Sequence, residues 1–289
     1  MENEKIGLVL SGGGIRGIAH VGLLQALKEA DIQVDHITGS SAGALVGALH
    51  LMDYQSEEIL EVFAEVQIYS YSRFTWRKLG FLDSETFIPH LQRYFPIDNF
   101  SVLNCPLTVT MTDLEAGTCE YVSTGELIRP LLASAAYPPT LSPMQIGEKF
   151  YMDGGIMDNF PIKPLIGKSD IIIGSHVCPV QPIKYKDISY SGQLAWRAVN
   201  LSYFAASQDK FDQCDFVFQP REIDEVGVFD NKMVKKVYEI GYQQAKQAIP
   251  EILAVVNAKR EAKVVEMEQY KSFTKTWYGK MSGLFKSLS

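Results

Sequence analysis

The first fifty residues hold the same pattern twice: a short apolar run, a glycine-bearing turn and an apolar-striped helix. This repetition limits the fold more than any other feature of the chain. Ile6-Gly7-Leu8-Val9-Leu10 shows no polar alternation and so fits a strand buried on both faces. Gly12-Gly13-Gly14 ends it, and Ile18, Val21, Leu24 and Leu27 then recur at helical spacing. The chain passes Asp31 and returns to the sheet by Thr38. Gly39-Ser40-Ser41-Ala42-Gly43 forms the next turn, and Leu45, Val46, Leu49 and Met52 mark the next helix. Two such units in succession predict an α/β fold.

Further along, residues 53–100 read as largely helical. They are broken by the aromatic and basic stretch from Phe74 to Phe81, which suits either ordinary packing or a substrate-facing flap. Leu107 to Thr112 and Glu120 to Ser123 flank Asp113-Leu114-Glu115-Ala116-Gly117 and read as a hairpin or strand pair, with Asp113 a turn residue. Lys149 to Met152 leads into Asp153-Gly154-Gly155, and Ile171 to Ser175 reads as another buried strand. No internal repeat or low-complexity segment is apparent.

A net charge of -7 argues against a general nucleic-acid binder, whose binding face needs a basic excess to neutralise phosphates. The four cysteines, Cys105, Cys119, Cys178 and Cys214, form no CxxC pair, and the five histidines show no zinc spacing. No metal site, cofactor or disulfide framework is expected. The opening Met-Glu-Asn-Glu-Lys lacks the basic start and long apolar stretch of a signal peptide, so a reducing, cytoplasmic setting is expected. The apolar-looking stretch from Ala42 to Met52 is shorter than the roughly 20 residues a transmembrane helix needs.

Three constellations could carry chemistry. Gly12-Gly13-Gly14-Ile15-Arg16-Gly17 lies between a strand and a helix, where missing Cβ atoms let backbone N–H groups approach negative charge. Its GxGxxG spacing, with Asp35 further on, also fits a nucleotide-binding loop. Gly39 to Gly43 is a GxSxG turn with Ser41 in the middle, the arrangement that lifts a serine Oγ out of a strand-to-helix junction. A helix N-cap is the other role open to such a serine. Asp153-Gly154-Gly155 alone suits a hairpin turn. Together the three supply a donor loop, an exposed serine and a carboxylate, the groups that acyl transfer requires.

These motifs, in this order and approximate spacing, resemble those of the patatin-like phospholipases, whose signature is a GGGxRG loop, a GxSxG turn and a later DGG or DGA. Ala133-Ser134-Ala135-Ala136-Tyr137-Pro138 is similar to the family's ASxAxP block, and Asp153 to Pro161 to its DGGxxxNxP. The strong part of the resemblance covers about residues 5 to 165. Leu141 departs from the phenylalanine that family members often carry before Pro143, which bears on the shape of the acyl-site wall and not on the chemistry. The resemblance implies a three-layer fold with a central, mostly parallel sheet flanked by helices. It implies Ser41 as nucleophile with Asp153 as its partner, Gly39 and Gly43 shaping the turn, and an oxyanion hole at Gly12, Gly13 and Gly14, with Arg16 holding that loop or its charge. Long-chain acyl esters are the implied substrates.

A free aspartate has a pKa of about 3.9 and is a poor base for a serine hydroxyl, so an apolar setting must raise the basicity of Asp153. Two other readings stand beside the dyad. Ser41, Asp153 and His176 occur in the order of an α/β-hydrolase triad, and Gly12 to Gly17 could serve a nucleotide with Ser41 as a helix cap. The expected organisation is a catalytic domain over residues 5–258 and a tail over 259–289. In that tail Lys271, Lys275, Lys280 and Lys286 alternate with Phe273, Trp277, Met281, Leu284 and Leu288. A basic amphipathic helix over 269–289 either lies in a membrane interface or packs back on the domain. Oligomeric state is not legible.

Overall fold

In the computed structural model, which describes residues 4–65, 80–227 and 231–286, the two N-terminal units lie side by side. Strand β1 (Ile6–Leu10) leads through a glycine turn to helix α1 (Ile18–Glu29), and β2 (His36–Gly39) leads through the second turn to α2 (Ala42–Leu51). Helices α3 (Ser56–Glu65) and α4 (Ile88–Gln92) follow, then β3 (Leu107–Asp113) and β4 (Thr118–Val122), which form the expected antiparallel hairpin. Asp113 closes it, its Oδ1 accepting the N–H groups of Glu115 and Ala116. Next come α5 (Ile128–Ser134), β5 (Met144–Ile146), β6 (Lys149–Asp153), the short α6 (Gly155–Asp158) and β7 (Ile171–Ser175). Helix α7 (Ser191–Gln208), β8 (Phe216–Phe218) and α8 (Val234–Lys286) complete the described chain.

The strands form one sheet in the order β5-β6-β3-β2-β1-β7-β8, with β4 paired to β3. From β3 to β8 neighbouring strands in this path are parallel, and β6 and β5 extend the β3 edge antiparallel. Every residue of β1 is buried, as its unbroken apolar run requires of a strand covered on both faces. Val9 and Ile172 pack with Phe160, Ile162 and Leu165 beneath the sheet. On the opposite face the close approach of α2 brings Gly47 against Ile37, Leu107 and Leu10. Helix, sheet and helix-bearing segments thus make the three layers of an α/β fold.

Strand order reverses at β1: β2 lies on one side of it and β7 on the other. The crevice beyond the carboxyl ends of these strands is where open α/β sheets bind ligands. Both glycine turns leave the sheet at that end.

Helix α8 passes through Pro250, which has no N–H to continue the helical ladder, and the chain divides there into one unit up to Ile249 and another from Pro250. The backbone is helical as far as Lys286. The side chains that define the basic amphipathic pattern, Lys271 through Leu288, lie outside the described residues, as does most of the Phe74–Phe81 stretch. Among the described residues no helix is long and apolar enough to cross a membrane.

Candidate active site

Ser41 has φ 51° and ψ -122°, a conformation costly for a residue with a Cβ, because β2 must turn into α2 within two residues. The surroundings enforce it. Gly43 sits so close to β1 that a Cβ there would lie 2.3 Å from the Leu10 carbonyl oxygen and 2.6 Å from that of Ser11. The Ser41 N–H donates to Ser134 Oγ at 2.8 Å, so α5, which carries the start of the ASxAxP block, holds the turn from the other side. The sequence motif included Ser134 but did not indicate this task.

Asp153 ends β6, which is tied to β3 through the Met111–Asp153 register and a 2.8 Å bond from Thr112 Oγ1 to the Asp153 carbonyl. Its carboxylate is almost fully buried. Burial pushes its pKa up to about 7, against the opposing effect of hydrogen bonds from the Ser41 side chain and the Gly155 N–H. The Gly155 bond measures 2.7 Å. The two residues singled out from sequence, far apart along the chain, therefore meet at the mouth of one crevice.

The glycine loop lies against them. A Cβ on Gly12 would fall 2.5 Å from Asn159 Oδ1 and 3.2 Å from Ser41 Cβ, so this position must be glycine for the loop to reach the serine. The Gly12 N–H is spent on the Asn159 carbonyl at 3.2 Å. It is not available to a ligand, which corrects its expected place among the oxyanion donors. Among the described residues the N–H groups of Gly13 and Gly14 have no internal acceptor, and both residues line the cavity that holds Ser41 and Asp153.

Arg16 faces elsewhere. It is buried, its Nε donating to the Val226 carbonyl at 2.8 Å and Nη2 to the Asp224 carbonyl at 2.7 Å, with Nη1 3.6 Å from the Asp224 carboxylate. It braces the loop from behind and does not line the cavity. His20 staples the strand leading into the loop, with Nε2 2.8 Å from the Ser11 carbonyl and Nδ1 2.7 Å from Ser175 Oγ. Burial lowers its pKa to about 4, which keeps the ring neutral.

The cavity, counted together with the open solvent at its mouth, holds about 1220 Å³ of empty space. Beyond Ser41 its wall is apolar, built by Leu45, Phe63, Phe87, Leu91, Leu131 and the variant Leu141. Tyr203, contributed by α7, also lines it, although nothing in the sequence pattern marked that residue. Such a chamber can hold an acyl chain beside a nucleophile.

Two alternative readings meet contrary geometry. His176 is fully buried, and its ring packs edge-on against Phe160, Phe204 and Phe211 at centroid distances of 6.0, 5.9 and 5.2 Å. Burial lowers its pKa to about 3, and among the described residues it makes no hydrogen bond to Asp153. Asp35, the would-be ribose ligand, accepts the Ile6 N–H at 2.7 Å. That places it at the start of β1, the opposite end of the sheet from the glycine loop.

A family model decides the relationship: that of the patatin-like phospholipases matches residues 8–166. The chain belongs to this family. Among curated relatives, lysophospholipase NTE1 of Meyerozyma guilliermondii is 30% identical over 213 residues, which cover 65% of this chain and 14% of that protein. An uncharacterized NTE family protein of Mycobacterium tuberculosis is 32% identical over 172 residues, 57% of this chain and 46% of the relative. The chain thus spans less than half the length of either. VipD from Legionella pneumophila superposes with a TM-score of 0.57 at 14% identity, covering 89% of this chain and 67% of that one, a likeness of fold. The patatin-like match ends at residue 166, whereas Arg16 and the cavity reach partners at residues 203–226.

Proposed function

We propose that the protein is a serine acyl hydrolase that cleaves carboxylic esters of lipids through a Ser41–Asp153 dyad. The observation that carries this reading is a buried carboxylate, with its pKa raised to about 7, hydrogen-bonded to a serine side chain in a strained turn. At that pKa Asp153 can accept the Ser41 proton as Oγ attacks the ester carbonyl. The Gly13 and Gly14 N–H groups, beside the positive end of α2, receive the oxyanion. Asp153 then returns the proton to the departing alkoxide, and in a second cycle takes one from the water that attacks the acyl group and passes it to Ser41 Oγ as the acid leaves. Arg16 contributes by bracing the loop.

The apolar chamber favours a long acyl chain. With NTE1 relatives named lysophospholipases, single-chain lysophospholipids are the first substrates to test. We place the protein in a reducing, cytoplasmic setting, a reading supported by its four free thiols, with the catalytic unit over residues 5–258 and a basic tail over 259–289 that adds peripheral membrane contact. Incubation with a fluorophosphonate should modify Ser41 alone, and Ser41→Ala should abolish both labelling and lysophospholipid hydrolysis. Unchanged turnover by Ser41→Ala would reject the dyad.

A further inference from the structure

Helix α7 packs one side onto the domain and, among the described residues, leaves the other exposed. Asn200 and Ser207, seven residues apart and thus on one stripe, are buried, and Tyr203 of the same side lines the cavity. The opposite stripe presents Leu194 and Leu201, 55% and 45% exposed, with Ala198 and Ala205 exposed between and beyond them. A surface helix of a soluble domain normally carries charge there. This one has a single charged residue in its 18, Arg197.

The segment leading into α7 has the same character. Ile183, Tyr185 and Tyr190 stand in solvent, Tyr185 at 91% exposure, and Lys184 and Lys186 flank it. Arg197 donates to the Gln181 carbonyl at 2.7 Å and so ties this segment to the helix. Across residues 177–208 the charged side chains are Lys184, Lys186 and Arg197 against one acid, Asp187, within a chain of net charge -7.

We propose that the bare face of α7, with the segment from Ile183 to Tyr190, is the surface by which the protein seats on an anionic lipid bilayer. Leucines entering the acyl boundary, tyrosines at headgroup depth and lysines against anionic phosphates are the elements of interfacial binding. The charge complementarity selects a bilayer over a second copy of this acidic chain. Because Tyr203 carries the other side of α7 into the cavity, seating here brings the site to the lipid. The inference rests on the acyl-hydrolase reading for its purpose, but not for its test.

The test uses the full chain, the double variants L194S/L201S and K184E/K186E, and flotation with phosphatidylcholine vesicles with or without phosphatidylglycerol. Thermal melts confirm folding. The unmodified protein should float with anionic vesicles, and L194S/L201S should bind them about tenfold or more weakly. K184E/K186E should show a weaker preference for phosphatidylglycerol than the unmodified protein. Both variants should cleave a water-soluble short-chain ester at the unmodified rate. Equal flotation of L194S/L201S, no flotation of the unmodified protein, or a dimer that this variant splits without any change in vesicle binding would each overturn the proposal. Absence of ester cleavage by the unmodified protein would instead reject the hydrolase reading and leave the flotation result to stand by itself.

Discussion

Replacing Asp153 by Asn separates its chemical role from its energetic cost. The carboxyl has a pKa of about 7 in the folded protein and about 3.9 when the chain is unfolded. The native state therefore binds more protons than the unfolded one between those values, and the contribution of Asp153 to stability falls as pH rises through that window. A raised pKa of this size corresponds to about 4 kcal/mol of destabilisation at pH 8, shrinking to about 1–2 kcal/mol at pH 5. The isosteric amide that Asp153→Asn introduces carries no charge and escapes this cost. The variant should melt several degrees above the unmodified protein at pH 8, with the gap narrowing steadily towards pH 5. Activity should move the other way. A base of pKa about 7 is about nine-tenths ionised at pH 8 and one-tenth at pH 6, so kcat/KM on a soluble ester should fall about tenfold between them. Asp153→Asn should be inactive throughout. Differential scanning calorimetry of the pair across pH, with matched rate profiles, measures both. A flat rate profile from pH 6 to 8, or a variant that melts lower at pH 8, would refute the argument that burial tunes this carboxylate.

Two further substitutions test the surrounding geometry. His176→Phe should keep ester hydrolysis within about threefold and leave the melting temperature unchanged or raised, since it removes a buried Nε2 with no partner among the described residues, whereas loss of a triad base would cost about 10⁶-fold. Gly43→Ala should destabilise by about 2–3 kcal/mol in urea titrations and lose activity, because its Cβ would press on the Leu10 carbonyl and push the serine turn off the sheet.

What was legible in the sequence was whatever local pattern decides. The unbroken apolar runs of β1 and β7 announced strands covered on both faces, and the glycines at 39 and 43 announced a turn that only close backbone contact explains. Ser41 and Asp153 could be paired as candidates only because three glycine-bearing motifs occur together in one chain, each turn alone suiting a helix cap or a hairpin. Gly12 illustrates the limit: the motif placed it in the loop, but only the fold shows its N–H committed to Asn159. Tyr203 and the Asp224–Val226 partners of Arg16 had no local signature, since an aromatic on a helix and an acid in a short 3-10 turn are ordinary residues until the chain brings them together.

The bond between Arg16 and the carbonyls of Asp224 and Val226 has a bearing on biogenesis. A ribosome releases the glycine loop some two hundred residues before the stretch of chain that binds Arg16, so the nascent N-terminal half carries a donor loop without this brace. That brace can form only once residues 224–226 have been made and have closed on Arg16. A proteolytic cut beyond β8 that released residues 224–226 would remove the same brace while leaving Ser41 and Asp153 in the chain. The arginine in the signature thus ties the glycine loop to a stretch of chain made long after it.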